Sequence, residues 1–348
     1  MVKSGPFTWI GLFEHERYSA MINTLDRDAP LFIVGCSRSG TTLMRLILNT
    51  HSKICIPEET RYIPIIGANL HKYGDLSEDN NLFTLIQDIN KQLERIVYGW
   101  KRLPVIEEVV KRLKKRTFQD IVMHVNTYFN TKSTIEIWGD KTPLYVNSIL
   151  FIGKLFPRSK FINMVRDGRD VAVSTLRAKL GGTNLTDISL EWNECILNGM
   201  LAEKYFGPKR VKTIRYEDLA SDPKTVLLMI CDFLNINYEE SMTQYYATSD
   251  AQALSKVKHH SNVIKPISSD SVGGYKKVLK QDQRKTLELY MWNTLKTYGY
   301  DLEFDFLPPP PKHYRYLSLF HSCVKLLLRG APKKLVRRSW FFRKRVAK

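Results

Sequence analysis

The stretch Leu31–Thr42, LFIVGCSRSGTT, constrains this chain more than any other. Leu31 to Gly35 is a short apolar run before a Ser/Gly turn, which reads as a buried strand. The residues after it place Leu43, Leu46, Ile47 and Thr50 on one helical face. Strand, glycine turn and helix in that order open a βαβ unit. A loop there turns backbone N–H groups and the positive end of the helix dipole toward an anion, and Thr41 and Thr42 add hydroxyl donors. The spacing Gly35 to Gly40 is that of a nucleotide-triphosphate loop. Such a loop carries a lysine after its second glycine, on the β/γ-phosphates and generally beside magnesium. Here Thr41 stands in that place and the cation lies inside the loop as Arg38.

Two further units follow. Lys160–Val165 (KFINMV) reads as a strand running through Arg166, Asp167 and Gly168 into a helix bearing Val171, Val173 and Leu176. Val211–Tyr216 (VKTIRY) reads as another strand, leading through a Ser221-Asp222-Pro223 helix start into VLLMICDFL. The expected fold class is therefore α/β: a three-layer, P-loop-like fold with a central parallel sheet flanked by helices. Residues 82–130 read as helical throughout, with apolar spacing Val105, Val109, Leu113; either a solvated helical pair or an acceptor-shaping lid fits. The expected domain spans 1–311, with 82–130 as its insert, and Pro308 to Pro311 separate it from a tail, 312–348.

Charge divides at those prolines. Of the 53 Lys and Arg, 12 lie in 312–348, which has no Asp or Glu; the body keeps 41 basic and 35 acidic residues. The tail mixes its cations with Leu317, Phe320, Leu326, Trp340 and Phe341, which suits either an anionic membrane surface or a mobile solvated tail. The five cysteines show no CxxC spacing, which argues against a zinc site and a disulfide framework. With no apolar run of about 18 residues and no convincing signal peptide, the expected location is cytoplasmic, peripheral to a membrane if the tail binds one. No basic-aromatic pattern of a known nucleic-acid reader is present, so nucleic acid is not an expected partner.

The motifs together resemble the sulfotransferases that use 3′-phosphoadenosine 5′-phosphosulfate (PAPS), and among them the tyrosylprotein sulfotransferases. RSGTTLMR (Arg38 to Arg45) looks like that family's 5′-phosphosulfate loop, EETR (Glu58 to Arg61) follows at the family's spacing, and MVRDGRDVAVS (Met164 to Ser174) looks like its 3′-phosphate segment. RYEDL (Arg215 to Leu219), LSKV (Leu254 to Val257) and VIKP (Val263 to Pro266) complete the set in order, so the resemblance runs from about Pro30 to Asp301.

The resemblance implies the sulfotransferase fold, PAPS as co-substrate without a metal, and a hydroxyl-bearing acceptor: a peptide tyrosine, a glycan or a small molecule. Glu59 matches the family's general base; a carboxylate near the acceptor hydroxyl can take its proton. Arg38 and Lys141 would stabilise the leaving group, with Ser261 completing the catalytic set. Ser39, Gly40, Thr41 and Thr42 would cradle the 5′-phosphate. Arg166 and Ser174 would hold the 3′-phosphate, since a guanidinium fork suits that group. Tyr216, Ser261, Lys265 and Lys276 would also contact the nucleotide, and Arg61 the acceptor. A homodimer is open. The chain departs from the family at Ile65, where the family has an arginine that holds acidic peptides. That departure makes a carbohydrate, lipid or small-molecule hydroxyl an alternative acceptor. A P-loop kinase is the rival enzyme class; the missing loop lysine and the EETR and RDGRD elements count against it. A non-enzymatic module acting through the tail is the third reading.

Overall fold

The computed structural model of the protein describes residues 25–96, 100, 102–178 and 184–305. Five strands, β1 (Leu31–Gly35), β2 (Ile54–Cys55), β3 (Ile137–Lys141), β4 (Lys160–Val165) and β5 (Val211–Arg215), form one sheet in the order β2-β3-β1-β4-β5. Every pairing is parallel, with Leu31 beside both Gly139 and Lys160, and Phe161 beside Val211. Around the sheet pack α1 (Thr41–Thr50), α2 (Asp79–Glu94), α3 (Ile106–Arg112), α4 (Phe118–Asn126), α5 (Gly168–Ala178), α6 (Leu185–Phe206), α7 (Pro223–Leu234) and α8 (Gln281–Thr297).

The period-2 alternation of β1 builds two cores. Leu31 and Ile33 face one cluster with Met44, Ile47, Ile162, Leu227 and Ile230, from α1, β4 and α7. Phe32 and Val34 face the other, with Phe161, Val165, Trp192 and Met291 from β4, α6 and α8. Both faces of the sheet are thus covered, which explains why β1 and β4 read as near-continuous apolar runs. The connection after β1 runs toward β2 and the one after the adjacent β4 runs the other way to β5, so the carboxyl ends of β1 and β4 form the switch point at which such sheets bind ligands.

The strands expected at Leu31–Gly35 and Lys160–Val165 stand at those bounds. The third ends at Arg215, one residue early, because Tyr216 already opens the next helical turn. Asp222 caps α7 as its sequence implies, accepting from the Thr225 N–H at 3.2 Å. Three expectations need correction. The 82–130 segment is not helical throughout: α2, α3 and α4 are separated by non-helical stretches, and Val105 and Leu113 are the residues bounding α3 rather than members of a buried stripe with Val109. On α1, burial extends beyond the expected face to Met44, Arg45 and Leu48, because the helix is covered by residues 240–247 as well as by the sheet. Strands β2 and β3 were not expected at all; β2 is two residues long, and β3 carries Gly139-Asp140-Lys141, which breaks an apolar pattern. The prolines 308–311, the tail and Cys323 lie outside the described residues.

Candidate active site

Four strand ends deliver side chains to one place. After β1, the loop turns at Arg38 (φ 72°) and Gly40 (φ 93°), both left-handed, before α1 begins at Thr41. Both loop glycines are required: a Cβ at Gly35 would lie 2.2 Å from the Met164 main-chain oxygen and one at Gly40 2.8 Å from the Tyr216 ring, each in a conformation side chains rarely adopt. The loop thereby lies against Tyr216 at the end of β5, and it opens the amino end of α1, where the first N–H groups have no intrahelical partner.

Arg38 donates from Nε to Ser174 Oγ at 3.0 Å, joining the loop to α5. Arg166, at the end of β4, donates to the main-chain oxygens of Arg38 (3.3 Å) and Ser271 (2.7 Å) and lies 4.4 Å over the Tyr216 ring. Tyr216 Oη and Ser271 Oγ are 2.7 Å apart. Burial and the neighbouring Arg166 charge lower the Arg38 pKa, with Glu59 opposing them. Two polar atoms of this cluster, Ser39 Oγ and Arg166 Nε, are buried with no protein partner among the described residues. Buried donors left unpaired cost stability unless a ligand satisfies them.

The second half of the site is an ion-paired triad. Lys141, at the end of β3 and almost fully buried, donates to Glu59 Oε1 at 2.9 Å and to Thr42 Oγ1 at 3.3 Å. Arg61, itself at φ 58°, holds the other carboxylate oxygen of Glu59 at 2.8 Å. Burial acts to raise the Glu59 pKa, but the charge and hydrogen bond of Lys141, followed by those of Arg61, outweigh it and hold the carboxyl at about 2. Trp100, from the 82–130 insert, donates its indole N–H to the main-chain oxygen of Glu59 at 3.0 Å, so the insert does reach the site. Glu58 points elsewhere, to the buried Arg45 at 3.0 Å, which also pairs with Asp250 at 2.9 Å.

The structure therefore brings together Arg38, Ser39, Gly40, Thr41, Thr42, Glu59, Arg61, Lys141, Arg166, Ser174 and Tyr216 of the expected residues. It does not bring in three others. Ser261, Lys265 and Lys276 have exposed side chains, and none hydrogen-bonds the Arg38–Arg166–Glu59 cluster; the serine that touches Arg166 and Tyr216 is Ser271. The RDGRD run also divides. Arg166 faces the cluster, whereas Arg169 forms buried pairs with Asp167 (2.7 Å) and Glu288, and Asp170 accepts from the N–H groups of Gly273 (2.7 Å) and Tyr275 (2.8 Å). These bonds pin the 271–275 turn that carries Ser271. No spacing in the sequence links Ser271 to Arg166, because that contact crosses 105 residues.

Residues 30–240 match the Sulfotransferase family. The chain belongs to the sulfotransferase family. Among curated relatives it is 26% identical over 286 residues to protein-tyrosine sulfotransferase 1 of Danio rerio, covering 79% of this chain and 74% of that one. It is 28% identical over 258 residues to protein-tyrosine sulfotransferase A of Caenorhabditis elegans, covering 71% of this chain but only 61% of the relative's length. Among solved structures, the sulfotransferase domain of the Synechococcus PCC 7002 olefin synthase superposes with a TM-score of 0.52 at 21% identity, covering 79% of this chain and 95% of that domain, which supports the shared fold. As a sulfotransferase, the chain carries its candidate residues on the edge of the sheet where the switch point lies.

Proposed function

We propose that this sulfotransferase takes the sulfuryl group of PAPS and transfers it to a phenolic hydroxyl, with a protein tyrosine as the acceptor. The observation that carries the reading is the joining of two half-sites at the loop: a phosphate-type cradle with unpaired buried donors on one side, and on the other the Glu59–Lys141 pair, which Lys141 ties to the loop through Thr42. When bound, PAPS supplies an activated sulfuryl group on a 5′-phosphate. The loop N–H groups and Ser39, Thr41 and Thr42 bind that phosphate, and Arg166, which Ser271 adjoins, binds the 3′-phosphate with Ser174. Arg38 and Lys141 place positive charge where negative charge gathers as the leaving group departs. Glu59 orients the acceptor hydroxyl and accepts its proton.

The state of Glu59 suits a phenol. A carboxylate held at about 2 is ionised throughout the physiological range but is a weak proton acceptor. A tyrosine hydroxyl, with a pKa of about 10, parts with its proton more readily than an aliphatic alcohol. The names of the relatives agree with a tyrosine acceptor. Ile65 is 48% exposed and uncharged, four residues beyond Arg61, so the acidic flanks of a peptide find no cation there. The test is transfer of labelled sulfate from PAPS to tyrosine peptides with neutral or acidic flanks, to a glycan panel and to simple alcohols. Tyrosine peptides should be the acceptors, with little preference for acidic flanks; transfer to alcohols alone would overturn the phenol. Calorimetry should show 3′,5′-ADP binding more tightly than ATP with magnesium, and the reverse order would favour a kinase.

A further inference from the structure

Beneath Glu59 lies a polar network that the reaction as described does not use. Asp140 is fully buried, one residue before Lys141 on β3. Its Oδ2 accepts from Thr60 Oγ1 in a short bond and from Asn126 Nδ2 at 3.3 Å, and its Oδ1 accepts from Thr142 Oγ1 at 2.8 Å. Thr142 Oγ1 in turn accepts from the N–H groups of Thr60 (3.2 Å) and Arg61 (3.5 Å). Tyr145 Oη lies 3.0 Å from Thr60 Oγ1 and accepts the Ile63 N–H at 3.0 Å, while Tyr62 donates to Asn126 Oδ1 at 2.9 Å. Every residue from Thr60 to Ile63 is thus tied to this network, including Arg61 in its left-handed conformation.

We propose that Asp140 is the positioning residue of the site: through Thr60 and Thr142 its carboxylate fixes Glu59 opposite Lys141. The inference rests on the assignment of Glu59 and Lys141 made above. Its logic is one of hydrogen-bond inventory. Thr142 Oγ1 has a single proton, given to Asp140, which leaves its lone pairs free for the Thr60 and Arg61 N–H groups. Thr60 likewise spends its proton on Asp140. Only a group that accepts on both oxygens orients both hydroxyls, and an ionised carboxylate does so. Once protonated, Asp140 must donate from one oxygen, and one threonine has to turn. The groups facing it are Lys141 on its own strand, Tyr62 of the held segment, Tyr145 from the turn after β3, and Asn126 from α4. Burial raises the Asp140 pKa to about 6, against the lowering effect of its hydrogen bonds and of Lys141, so the change falls within the working range.

The test uses the full chain with PAPS and a neutral-flanked tyrosine peptide. Asp140→Asn, equal in shape, should lower kcat about 10- to 100-fold, as a misplaced catalytic group does. The peptide KM and the 3′,5′-ADP Kd should stay within about twofold. The wild-type kcat should fall as pH drops through about 6, and Asp140→Asn should lack that acid limb. Thr142→Ser should restore what Thr142→Val loses, which keeps the question decidable if Asp140→Asn does not fold. Amide protection across 59–63, taken relative to the intrinsic exchange rate at each pH, should fall in Asp140→Asn and, in the wild type, below pH about 6. Wild-type kcat with an unchanged acid limb in Asp140→Asn, or unaltered exchange at 59–63, would overturn the proposal. If the wild-type protein transfers nothing to the peptide, the acceptor reading fails, and the exchange measurement still decides the role of Asp140.

Discussion

Glu59 shows how much a residue's role depends on its partners. Alone, a glutamate in an EETR run is as good a salt-bridge partner as a base; here Lys141 and Arg61 each take one of its oxygens. Glu59→Gln keeps the shape while removing proton acceptance, so turnover should fall about 10²–10⁴-fold, the usual size of a general-base contribution. Binding of 3′,5′-ADP, measured by calorimetry, should hardly change. Arg38→Ala should lose both, because its guanidinium bonds Ser174 in the nucleotide half and its charge interacts with that of Glu59. Arginines 166 and 169 make the complementary case, three residues apart with different work to do. Arg166→Ala should weaken 3′,5′-ADP binding with little effect on folding. Arg169→Met leaves Asp167 and Glu288 as buried carboxylates without a counter-charge, which should cost about 3–5 kcal/mol in chemical denaturation. Equal destabilisation by the two variants would contradict this division.

At the scale of elements, the loop before α1 depends on what lies behind it. Gly40→Ala sets a methyl group against the Tyr216 ring at a positive φ, so nucleotide affinity should fall sharply even though alanine is the better helix former. The far end of α1 has its own fastening. Lys132 donates from Nζ to the main-chain oxygens of Asn49 (2.6 Å), His51 (2.8 Å) and Ile54 (2.5 Å), closing the helix and tying it to β2. Lys132→Met removes a charged donor from three carbonyls and should cost about 1–3 kcal/mol in thermal unfolding, with nucleotide binding intact. These dependencies track what the sequence reveals of each element. Strands β1 and β4 show as apolar runs before glycine or charged turns and β5 as a β-branched one, whereas β2 and β3 are too short or too polar to show, and β3 carries Lys141 and Asp140.

For the molecule as a whole, acid should have opposite effects on activity and on one part of stability. Asp140 has a folded pKa raised to about 6 from a reference of 3.8, so the folded state binds its proton more tightly than the unfolded state does. Its contribution therefore makes the fold more stable as pH falls from about 7 toward 4. Glu59 runs the other way: depressed to about 2 from 4.5, its contribution is present above the reference value and lost as pH falls through the folded one. Comparing the Tm of the wild-type protein and Asp140→Asn at pH 5 and 7 isolates the first effect; the wild type should gain relative to the variant at pH 5 while its kcat drops. The basic segment 312–348 is a separate matter. Ending the chain after Pro311 should leave turnover intact and reduce binding to phosphatidylserine vesicles at low salt, and unchanged sedimentation would count against a membrane role.

What the sequence determined by itself was set by local rules. Strand, glycine loop and helix follow one another within a dozen residues, and the swap of a loop lysine for Thr41 with Arg38 inside the loop is visible without coordinates. The ordered motifs from Arg38 to Arg215 were enough to anticipate an α/β sheet with its site at the strand ends. Only tertiary structure decided which residues meet there. Ser271 rather than Ser261 reaches Arg166, Glu58 is claimed by Arg45, and Asp140 rather than any exposed group organises the segment that holds Glu59. Each of these is a contact between distant positions, settled by which polar groups must find partners once the two cores close on either side of the sheet. A hydrogen-bond inventory of that kind has no counterpart in a linear pattern, because it depends on burial, and burial exists only in the folded chain.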